Sequence, residues 1–494
     1  MFTVFMVLLL ITVFATFHRY GFTTDDVNGF ERAKKTFAFL SSAGAAYQGV
    51  GDFKITNFYG AMPDVIALAL QKAFPSLGFD SRHLVSALFG AIGIYYTGRL
   101  SSFLGGMWVG LIAAVLLTFN PLWLGYMFIN IKDIPFAAAL LAASYHSLRI
   151  LGREERPNWL SWASLAVWSG FLATTKILGL PMLGVVVFIL LAALLFERRE
   201  FPVRVIAVRV AGIAAAVVLG TMACALLFWP QLFLYTPSQT LAVLLDFMDF
   251  SGWQGKVLLN GVTYPYDQVP RYYVVTYLLI STPLFPLILF FLSVPVAIWS
   301  GRFSLIGLTA VPLVFVLVQA LTHSNAYNGA RHFLFVVPFM MAAAAFPLAA
   351  FVTGKWPAWT RAGGAVALLA FMGASSFSMI KLFPYQYSSY NLLVGGIEGA
   401  QGRFYIDVWR SAHREALKLL ASSTPPGNVY AVYSCGSLMN YVGYSQFKPV
   451  RNPERAMYII ALPRGCPASQ FQGYRTMAEV KRGNVVFASI LMPQ

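Results

Sequence analysis

Residues 84–121, LVSALFGAIGIYYTGRLSSFLGGMWVGLIAAVLLTFNP, form an apolar run whose single charged residue is Arg99. About 20 apolar residues are enough to cross the roughly 30 Å of hydrocarbon in a bilayer, so the run is long enough for two spans. Arginine, two serines and a Gly-Gly pair interrupt it at residues 99–106, which indicates a tight turn there. The run therefore predicts a helical hairpin in a membrane.

The composition of the whole chain agrees with a membrane protein. Of its 494 residues, 58% are hydrophobic and only 11% are charged, whereas a soluble domain has about 25% charged residues. In a membrane protein, a net charge of +16 mostly reflects basic residues in cytoplasmic loops and their contact with anionic lipid headgroups. No basic, aromatic-interleaved soluble module is visible, so we expect membrane lipids and no nucleic acid as partners.

The same apolar pattern recurs along the chain and predicts about eleven transmembrane helices. The fold class is therefore mainly α, a polytopic transmembrane helical bundle with a small C-terminal α/β domain. The predicted spans are 2–17, 84–104, 106–121, 134–151, 159–174, 179–196, 205–228, 273–299, 303–321, 333–352 and 360–380.

The basic residues of the short loops predict the orientation of the bundle. One set of loops carries eleven arginines and lysines, for example Arg149 and Arg204, and the opposite set carries Lys132, Lys176 and Arg331. Because basic residues favour the cytoplasmic side, the first set is predicted to be cytoplasmic. Loops 18–83, 122–133, 230–272 and 322–332 and the C-terminal region then lie on the extracytoplasmic face of a bacterial-type inner membrane.

Two regions follow from this topology. Residues 1–380 are predicted to form the transmembrane domain, with a long outer loop at 18–83 and an aromatic outer loop at 230–272. Residues 381–494 are predicted to form an extracytoplasmic α/β domain. Its predicted elements are a helix at Asp407–Ala421 and strands at Val429–Tyr433, Ala456–Leu462, Thr476–Lys481 and Asn484–Leu491. In that domain Cys435 and Cys466 are either a disulfide or two unrelated buried thiols.

Asp25-Asp26, shortly after the first span, is the first candidate for chemistry. Adjacent carboxylates raise each other's proton affinity, so one of them can serve as a base while its partner stays charged. They can equally hold a divalent cation together with phosphate oxygens. The structural alternative is that Thr-Asp caps the helix that follows.

Asn130-Ile131-Lys132-Asp133-Ile134-Pro135 is the second candidate. Asp133 as a cap and Pro135 in the first turn predict a helix N-terminus, and a helix N-terminus that carries a lysine is favourable for a phosphate. The alternative is a well-capped transmembrane helix with no further role.

Further polar and aromatic residues gather in the other outer loops. The stretch 323–332 places His323, Tyr327, Arg331 and His332 between two spans, where an arginine requires an anionic partner such as a lipid phosphate. Lys54 of the first loop can reach a phosphate oxygen. The segment 264–273 offers Tyr264, Tyr272 and Tyr273, whose rings suit sugars or polyprenyl chains, although aromatic belts are common at membrane interfaces.

In this order and spacing, the motifs resemble the GT-C membrane glycosyltransferases, in particular the bacterial family around protein O-mannosyltransferases and the aminoarabinose transferase of lipid A. The resemblance rests on Asp25-Asp26, Asn130-x-Lys132-Asp133-x-Pro135, Pro270-x-Tyr272-Tyr273 with Ser281-Thr282-Pro283, Arg331 to Pro338, and Phe383-Pro384-Tyr385-Gln386-Tyr387 with Gly395-Gly396. It covers residues 20–410 and does not account for the cysteine-bearing tail.

The resemblance implies an inverting transfer of a sugar from a polyprenyl-phosphate donor to an acceptor hydroxyl on the outer face, with mannosyltransferase-like activity. The acceptor would be a protein, a glycolipid or a polymer. Asp25 would be the base by position, but Asp26 stands where that family often has Glu, which leaves open which of the two is catalytic. Asp133 would orient the acceptor, the base or a metal. The donor phosphate would be held by Lys54, Lys132, Arg331 and His332. Asp25 and Asp133 would bind Mg²⁺ or Mn²⁺ if the enzyme uses a divalent cation, and the sequence leaves metal dependence open.

Two other functions fit a polytopic protein. A transporter or flippase of a lipid-linked sugar would place ionisable residues in mid-span or break helices at the midplane. A non-catalytic membrane assembly subunit would tolerate the loss of Asp25, Asp26 and Asp133. The polar residues gather at one face instead, which favours the enzyme.

Overall fold

The computed structural model describes most of the chain, with gaps that fall in loops. The described residues are 1–42, 60–152, 157–197, 202–230, 233, 236, 238–239, 242, 254–322, 326–434 and 445–494. Three of the predicted site residues, Lys54, His323 and Cys435, lie outside these ranges.

Helices dominate the described residues from the N-terminus to residue 382. They are α1 (Phe2–Thr16), α2 (Thr24–Ser41), α3 (Met62–Ala73), α4 (Ser81–Gly105), α5 (Met107–Thr118), α6 (Pro121–Ile129), α7 (Asp133–Leu151), α8 (Trp159–Thr175), α9 (Gly179–Glu197), α10 (Val203–Phe228), α11 (Tyr273–Ser281), α12 (Leu284–Ser300), α13 (Phe303–Thr322), α14 (Val337–Thr353) and α15 (Ala358–Leu382). The 3-10 helix Arg331–Val336 leads directly into α14.

Helix is present at every one of the eleven predicted spans, but the predicted number of spans is not confirmed. In the described part of the chain, seven helices are long and apolar enough to cross a membrane, and two bent pairs raise the number to nine. The helix α8 has only 17 residues, and α4 carries Arg82, His83 and Arg99. The multi-pass helical bundle itself agrees with the sequence.

Two bent helix pairs differ from the prediction: α6 occupies the predicted outer loop 122–133, and α11 and α12 divide the predicted span 273–299. The pair α5 and α6 bends by 67° at Asn120-Pro121, where the Asn120 side chain accepts a hydrogen bond from the Leu122 N–H. The pair α11 and α12 bends by 117° at Thr282-Pro283. The residue before a proline is disfavoured in the helical conformation, so the helix ends before each proline and a new one begins.

The C-terminal part is a small mixed sheet with two short helices, α16 (Gly396–Ala400) and α17 (His413–Ser423). A separate hairpin, β1 (Lys256–Leu259) and β2 (Val262–Pro265), precedes α11 in the chain. The strands of the C-terminal sheet are β3 (Tyr430–Ser434), β4 (Phe447–Pro449), β5 (Tyr458–Ala461), β6 (Tyr474–Arg482) and β7 (Val485–Pro493). Their order in the sheet is β4-β3-β5-β7-β6, parallel among β4, β3 and β5 and antiparallel from β5 to β6. All four predicted strands are present, whereas the predicted helix begins at His413 and not at Asp407.

The sheet packs on the helical part through aromatic and charged contacts. Tyr385 stacks on Phe487 of β7 with ring centroids 4.4 Å apart. Arg482 of β6 donates to both carboxylate oxygens of Glu415 on α17, at 2.7 and 3.2 Å. The sheet is therefore joined to the segment that follows α15.

A buried ion-pair network fixes the helices of the first loop against α4. Arg82, 2% exposed, donates from Nε to Asp26 of α2 at 2.9 Å and from Nη2 to Asp64 of α3 at 2.6 Å. Buried charges are tolerated only when they are paired and hydrogen-bonded, so this network sets where α2 and α3 can lie. Gly29 of α2 makes room for it, because a Cβ there would lie 2.6 Å from Arg82 Nη2 and closer still to Asp64 Oδ1.

We expect Gly29→Ala to lower the stability of the bundle. The added methyl group must push the Arg82–Asp64 pair apart, and overpacking of this kind costs about 1–3 kcal/mol. The matched control is Gly373→Ala, since a Cβ at that glycine of α15 meets no atom within 4 Å. Thermal unfolding in detergent measures both variants, and equal unfolding temperatures would contradict the role assigned to Gly29.

Candidate functional site

The two carboxylates of Asp25-Asp26 have different surroundings. Asp26 Oδ2 accepts hydrogen bonds from the backbone N–H and the hydroxyl of Thr23, at 2.7 and 2.9 Å, and closes a capping box at the start of α2. Its other oxygen accepts from Arg82. Asp26 is thus occupied in holding α2, and the structural alternative from the sequence applies to this residue of the pair.

Asp25, one residue earlier, faces two cations from distant parts of the chain. Its Oδ2 lies 3.1 Å from Arg331 Nη1 and 3.4 Å from Lys132 Nζ, and its side chain is 28% exposed. Burial favours the protonated acid, but the charges of Lys132 and Arg331 outweigh it and hold the pKa of Asp25 below its ordinary value. The sequence expectation of mutually raised proton affinities is therefore wrong for Asp25, because Asp26 pairs elsewhere.

The turn before α7 positions Lys132. The Asn130 side-chain oxygen accepts hydrogen bonds from the backbone N–H groups of Lys132 and Asp133, at 3.2 and 2.9 Å. Asp133 is the first residue of α7 and not its cap, because the N-cap position is occupied by Lys132, whose side chain makes no capping hydrogen bond. This turn aims the Lys132 side chain at Asp25.

Asp133 itself is buried and already engaged. Its Oδ2 accepts from Asn130 Nδ2 at 2.8 Å, and its Oδ1 forms an ion pair with Lys176. Lys176 lies immediately after α8, and the sequence suggested it only as one of the few outer basic residues. The ion pair between Asp133 and Lys176 therefore joins the N-terminus of α7 to the C-terminus of α8.

The guanidinium of Arg331 contacts two aromatic rings. Its guanidinium carbon lies 4.8 Å from the ring centroids of both Tyr327 and Trp409. Its Nε donates to His332 Nε2 at 3.1 Å, which makes that nitrogen an acceptor and His332 neutral. Aromatic faces attract a guanidinium, so this packing fixes the direction in which the remaining N–H groups point.

Trp409 is the site residue that the sequence missed. It is 1% exposed and belongs to the C-terminal region at 381–494, in which no candidate residue for the site was predicted. No local motif marks it, because its importance comes from contact with an arginine far away in the chain.

The three predicted tyrosines of segment 264–273 do not join the cluster around Asp25. Tyr273 is fully buried, and its hydroxyl oxygen accepts from the Gly329 N–H at 2.9 Å, so it supports the loop that carries Tyr327 and Arg331. Tyr264 and Tyr272 line another cavity of about 330 Å³ beside the β1–β2 hairpin, together with Arg403. A role in substrate binding for Tyr264 and Tyr272 would therefore require a ligand that extends to the hairpin.

The described residues do not fit a resident divalent metal ion. No group of three or more His, Cys, Asp and Glu side chains gathers among them. Asp25 and Asp133, the predicted ligands, face Lys132, Arg331 and Lys176, which would repel a metal ion as they neutralise the carboxylates. No step below is assigned to Mg²⁺ or Mn²⁺.

The cysteines of the C-terminal domain are described in part. Cys466 is buried and takes part in a disulfide, while Cys435, its predicted partner, lies outside the described residues. Cys224 in α10 is a free buried thiol.

Comparison with known proteins supports the resemblance seen in the sequence. Residues 66–223 match the family described as dolichyl-phosphate-mannose-protein mannosyltransferase. ArnT from Cupriavidus metallidurans, solved in the apo state and bound to undecaprenyl phosphate, is similar over 99% of this chain and 97% of its own, with 12% identity and a TM-score of 0.53. An oligosaccharyltransferase from Archaeoglobus fulgidus, also 12% identical, covers 89% of this chain and 62% of its own with a TM-score of 0.46.

No curated protein matches the chain at a significant level. The predicted resemblance to polyprenyl-phosphate-dependent membrane glycosyltransferases is nevertheless confirmed by the family match and by the ArnT-like architecture of the full chain. The chain thus has a fold similar to that of ArnT, and its residues 66–223 match the mannosyltransferase family.

Proposed function

We propose that the protein is an inverting glycosyltransferase, which moves a sugar from a polyprenyl-phosphate donor to an acceptor hydroxyl. The observation that carries the proposal is the contact of the Asp25 carboxylate with both Lys132 and Arg331. A carboxylate base beside two cations is the arrangement that a phosphate leaving group and an attacking hydroxyl require together. The ArnT structure with undecaprenyl phosphate supports the donor class.

In the proposed reaction, Asp25 accepts the proton of the acceptor hydroxyl. The acceptor oxygen forms a bond to the anomeric carbon of the sugar, on the side opposite the donor phosphate. The bond from that carbon to the phosphate oxygen breaks, and the polyprenyl phosphate leaves with the electron pair. One displacement inverts the anomeric configuration.

Lys132 and Arg331 receive the negative charge that grows on the leaving phosphate. Arg331 is oriented before the donor arrives by the rings of Tyr327 and Trp409, so little reorganisation is needed in the transition state. Lys132 carries its ammonium group on a flexible four-carbon side chain. Burial lowers the pKa of this lysine in spite of the attraction of Asp25. Lys54 remains a predicted ligand of the donor phosphate, and His323 remains a predicted substrate-binding residue.

Asp133 and His332 hold the other residues of the site in position. Asp133 holds the turn through Asn130 and the neighbouring span through Lys176, which keeps Lys132 in place. His332 accepts from Arg331 Nε and leaves the Nη groups of the guanidinium for Asp25 or the phosphate. Neither residue is assigned proton transfer.

Donor binding also changes the basicity of Asp25. Before binding, the two cations hold the pKa of its carboxylate low, which makes it a weak base. A donor phosphate that pairs with Lys132 and Arg331 neutralises their charge and raises the proton affinity of Asp25. Asp25 therefore becomes a stronger base once the donor sugar is bound, and it remains a weak base in the empty site.

The location and the specificity of the enzyme belong to the same proposal. The site is formed by residues of the loops that carry few basic residues, so we assign it and the C-terminal domain to the extracytoplasmic face of a bacterial-type inner membrane. The family matched at residues 66–223 supports mannose as the sugar. The acceptor is a protein, a glycolipid or a polymer.

One observation favours transport of a lipid-linked sugar as the second candidate. The bends of 67° and 117° resemble the broken helices on which transporters build their binding sites. However, Asp25, Lys132 and Arg331 lie at the ends of helices, where a donor phosphate at the membrane interface would meet them.

We expect Asp25→Asn to reduce sugar transfer at least about 1,000-fold, because the amide cannot accept the acceptor proton. The assay is transfer from radiolabelled polyprenyl-phosphate sugars in membranes that contain the full chain. Asp26→Asn is the matched control: it weakens the Thr23 cap and the Arg82 pair, so it lowers the unfolding temperature, and its residual transfer follows the folded fraction. Equal transfer by wild type and Asp25→Asn would refute the proposed base, and label that crosses the bilayer unchanged would favour transport.

We expect Arg331→Lys to lower kcat/KM for the donor by about 10- to 100-fold although the charge is kept, because an ammonium cannot make the planar stack between two rings. Lys132→Arg is the comparison, since Lys132 acts chiefly as a point charge. Initial-rate kinetics at several donor concentrations measure both variants. If Arg331→Lys were the milder of the two, the orienting role of Tyr327 and Trp409 would be wrong.

The pH dependence follows from the lowered pKa of Asp25. Because the carboxylate stays ionised in the free enzyme, the acid limb of kcat/KM lies below the ordinary aspartate pKa of about 3.9. The limb of kcat, which reports the donor-bound enzyme, lies at higher pH. Lys132→Met removes a cation and shifts the kcat/KM limb upwards. If the acid limbs of kcat and kcat/KM fell at the same pH, and if Lys132→Met did not move them, the proposed rise in the pKa of Asp25 on donor binding would be wrong.

A further inference from the structure

A second charged cavity lies at the junction of the first span and the C-terminal domain. It has a volume of about 250 Å³, which is the space of about eight water molecules at roughly 30 Å³ each. Its walls carry Arg19, Arg414, Lys418 and Arg482, with Glu415 as the one acidic residue. We call these five residues and the space between them the basic cleft.

Two of its four cations are already paired. Arg414 donates to both oxygens of Asp80, at 2.5 and 2.9 Å, and to the carbonyl oxygen of Tyr20. Arg482 pairs with Glu415 and donates to the carbonyl oxygen of Phe383 at 2.7 Å. These pairs build the walls and contribute little net charge.

Arg19 and Lys418 supply the remaining charge of the cleft. Both side chains are exposed, and neither has an ion-pair partner in the part of the chain that the structure describes. Partial burial and the charges of Arg414 and Arg19 lower the pKa of Lys418, against the opposite effect of Asp80 and Glu415, in agreement with the convergence of cations on the cleft. An anion in the cleft would relieve this repulsion.

The position of Arg19 places the cleft at the height of lipid headgroups. Arg19 follows α1 by three residues, and α1 exposes apolar side chains such as Leu8, Ile11 and Phe14, as a lipid-facing helix does. Asp25 follows Arg19 after six residues, so the cleft opens on the membrane face that carries the candidate active site. The cleft is separate from that site, because Asp25, Lys132 and Arg331 do not line it.

We propose that the basic cleft binds a phosphate group, supplied by the headgroup of an anionic lipid. Phosphate oxygens fit two unpaired cations that flank a space of this size, and a lipid at the interface reaches Arg19 without leaving the bilayer. The bound phosphate bridges the first span, through Arg19, and α17 of the C-terminal domain, through Lys418. This site does not depend on the proposed transferase activity.

The test is the affinity of the purified full chain in detergent for short-chain phosphatidylglycerol, with retention of the lipid followed by native mass spectrometry. We expect Arg19→Gln/Lys418→Gln to weaken binding about tenfold or more, because each basic residue near an anionic lipid surface contributes about fivefold. The matched control is Lys448→Gln/Arg451→Gln, which removes the same charge from exposed positions of the C-terminal domain outside the cleft. Arg19→Lys/Lys418→Arg retains the charge and should retain binding.

Two further arms decide the source of the phosphate. Short-chain phosphatidylcholine, whose headgroup has no net charge, should compete poorly, and equal competition would overturn the proposal. If inorganic phosphate displaced the lipid at equal concentration, the cleft would still be a phosphate site, but its ligand would be a soluble anion and the lipid assignment would be wrong. Equal loss of affinity in the cleft variant and in its control would also overturn the proposal, since general surface charge would then explain the binding.

Discussion

The buried guanidinium of Arg82 is the interaction on which the geometry of the site depends. It joins α2, α3 and α4 through Asp26 and Asp64, and neither carboxylate can leave without stranding a charge in a dry interior. Removing one partner of such a pair costs about 3–5 kcal/mol, so the three helices are held in one arrangement. Asp25 inherits its position from this network, because it follows the Thr23 cap and precedes the residue that Arg82 holds.

The pairing of Asp26 leaves Asp25 to the cations of α7 and of the 3-10 helix at Arg331. The two adjacent carboxylates thus have different roles: Asp26 stabilises the loop and Asp25 faces the site. The division also removes a cost, since two ionised carboxylates in one place would repel each other. What remains is a single carboxylate between two cations, and the three come from segments more than a hundred residues apart in the chain, so the contact exists only when the bundle has assembled.

Much of the fold could be predicted from the sequence because the bilayer imposes a simple length rule on apolar segments. That rule located helix at every predicted span, and alternation located the strands β3, β5, β6 and β7. It could not find the bend at Thr282-Pro283, because both halves of that pair are apolar, and it missed α6, which is too short to span the membrane alone. In the site, Asp25, Lys132 and Arg331 were candidates from three separate motifs, and their mutual contact is seen only in the structure. Trp409 and the Arg82 network rest on tertiary contacts that leave no local pattern.

The position of Trp409 gives the candidate site an optical property of its own. The transition energy of an indole depends on the electric field across its ring, and the guanidinium of Arg331 lies over that ring at 4.8 Å. An anion that draws charge away from Arg331 changes this field without moving the backbone. The difference in emission between the wild-type chain and one with Trp409 replaced by phenylalanine therefore reports the occupancy of the site directly, with no label attached to donor or protein.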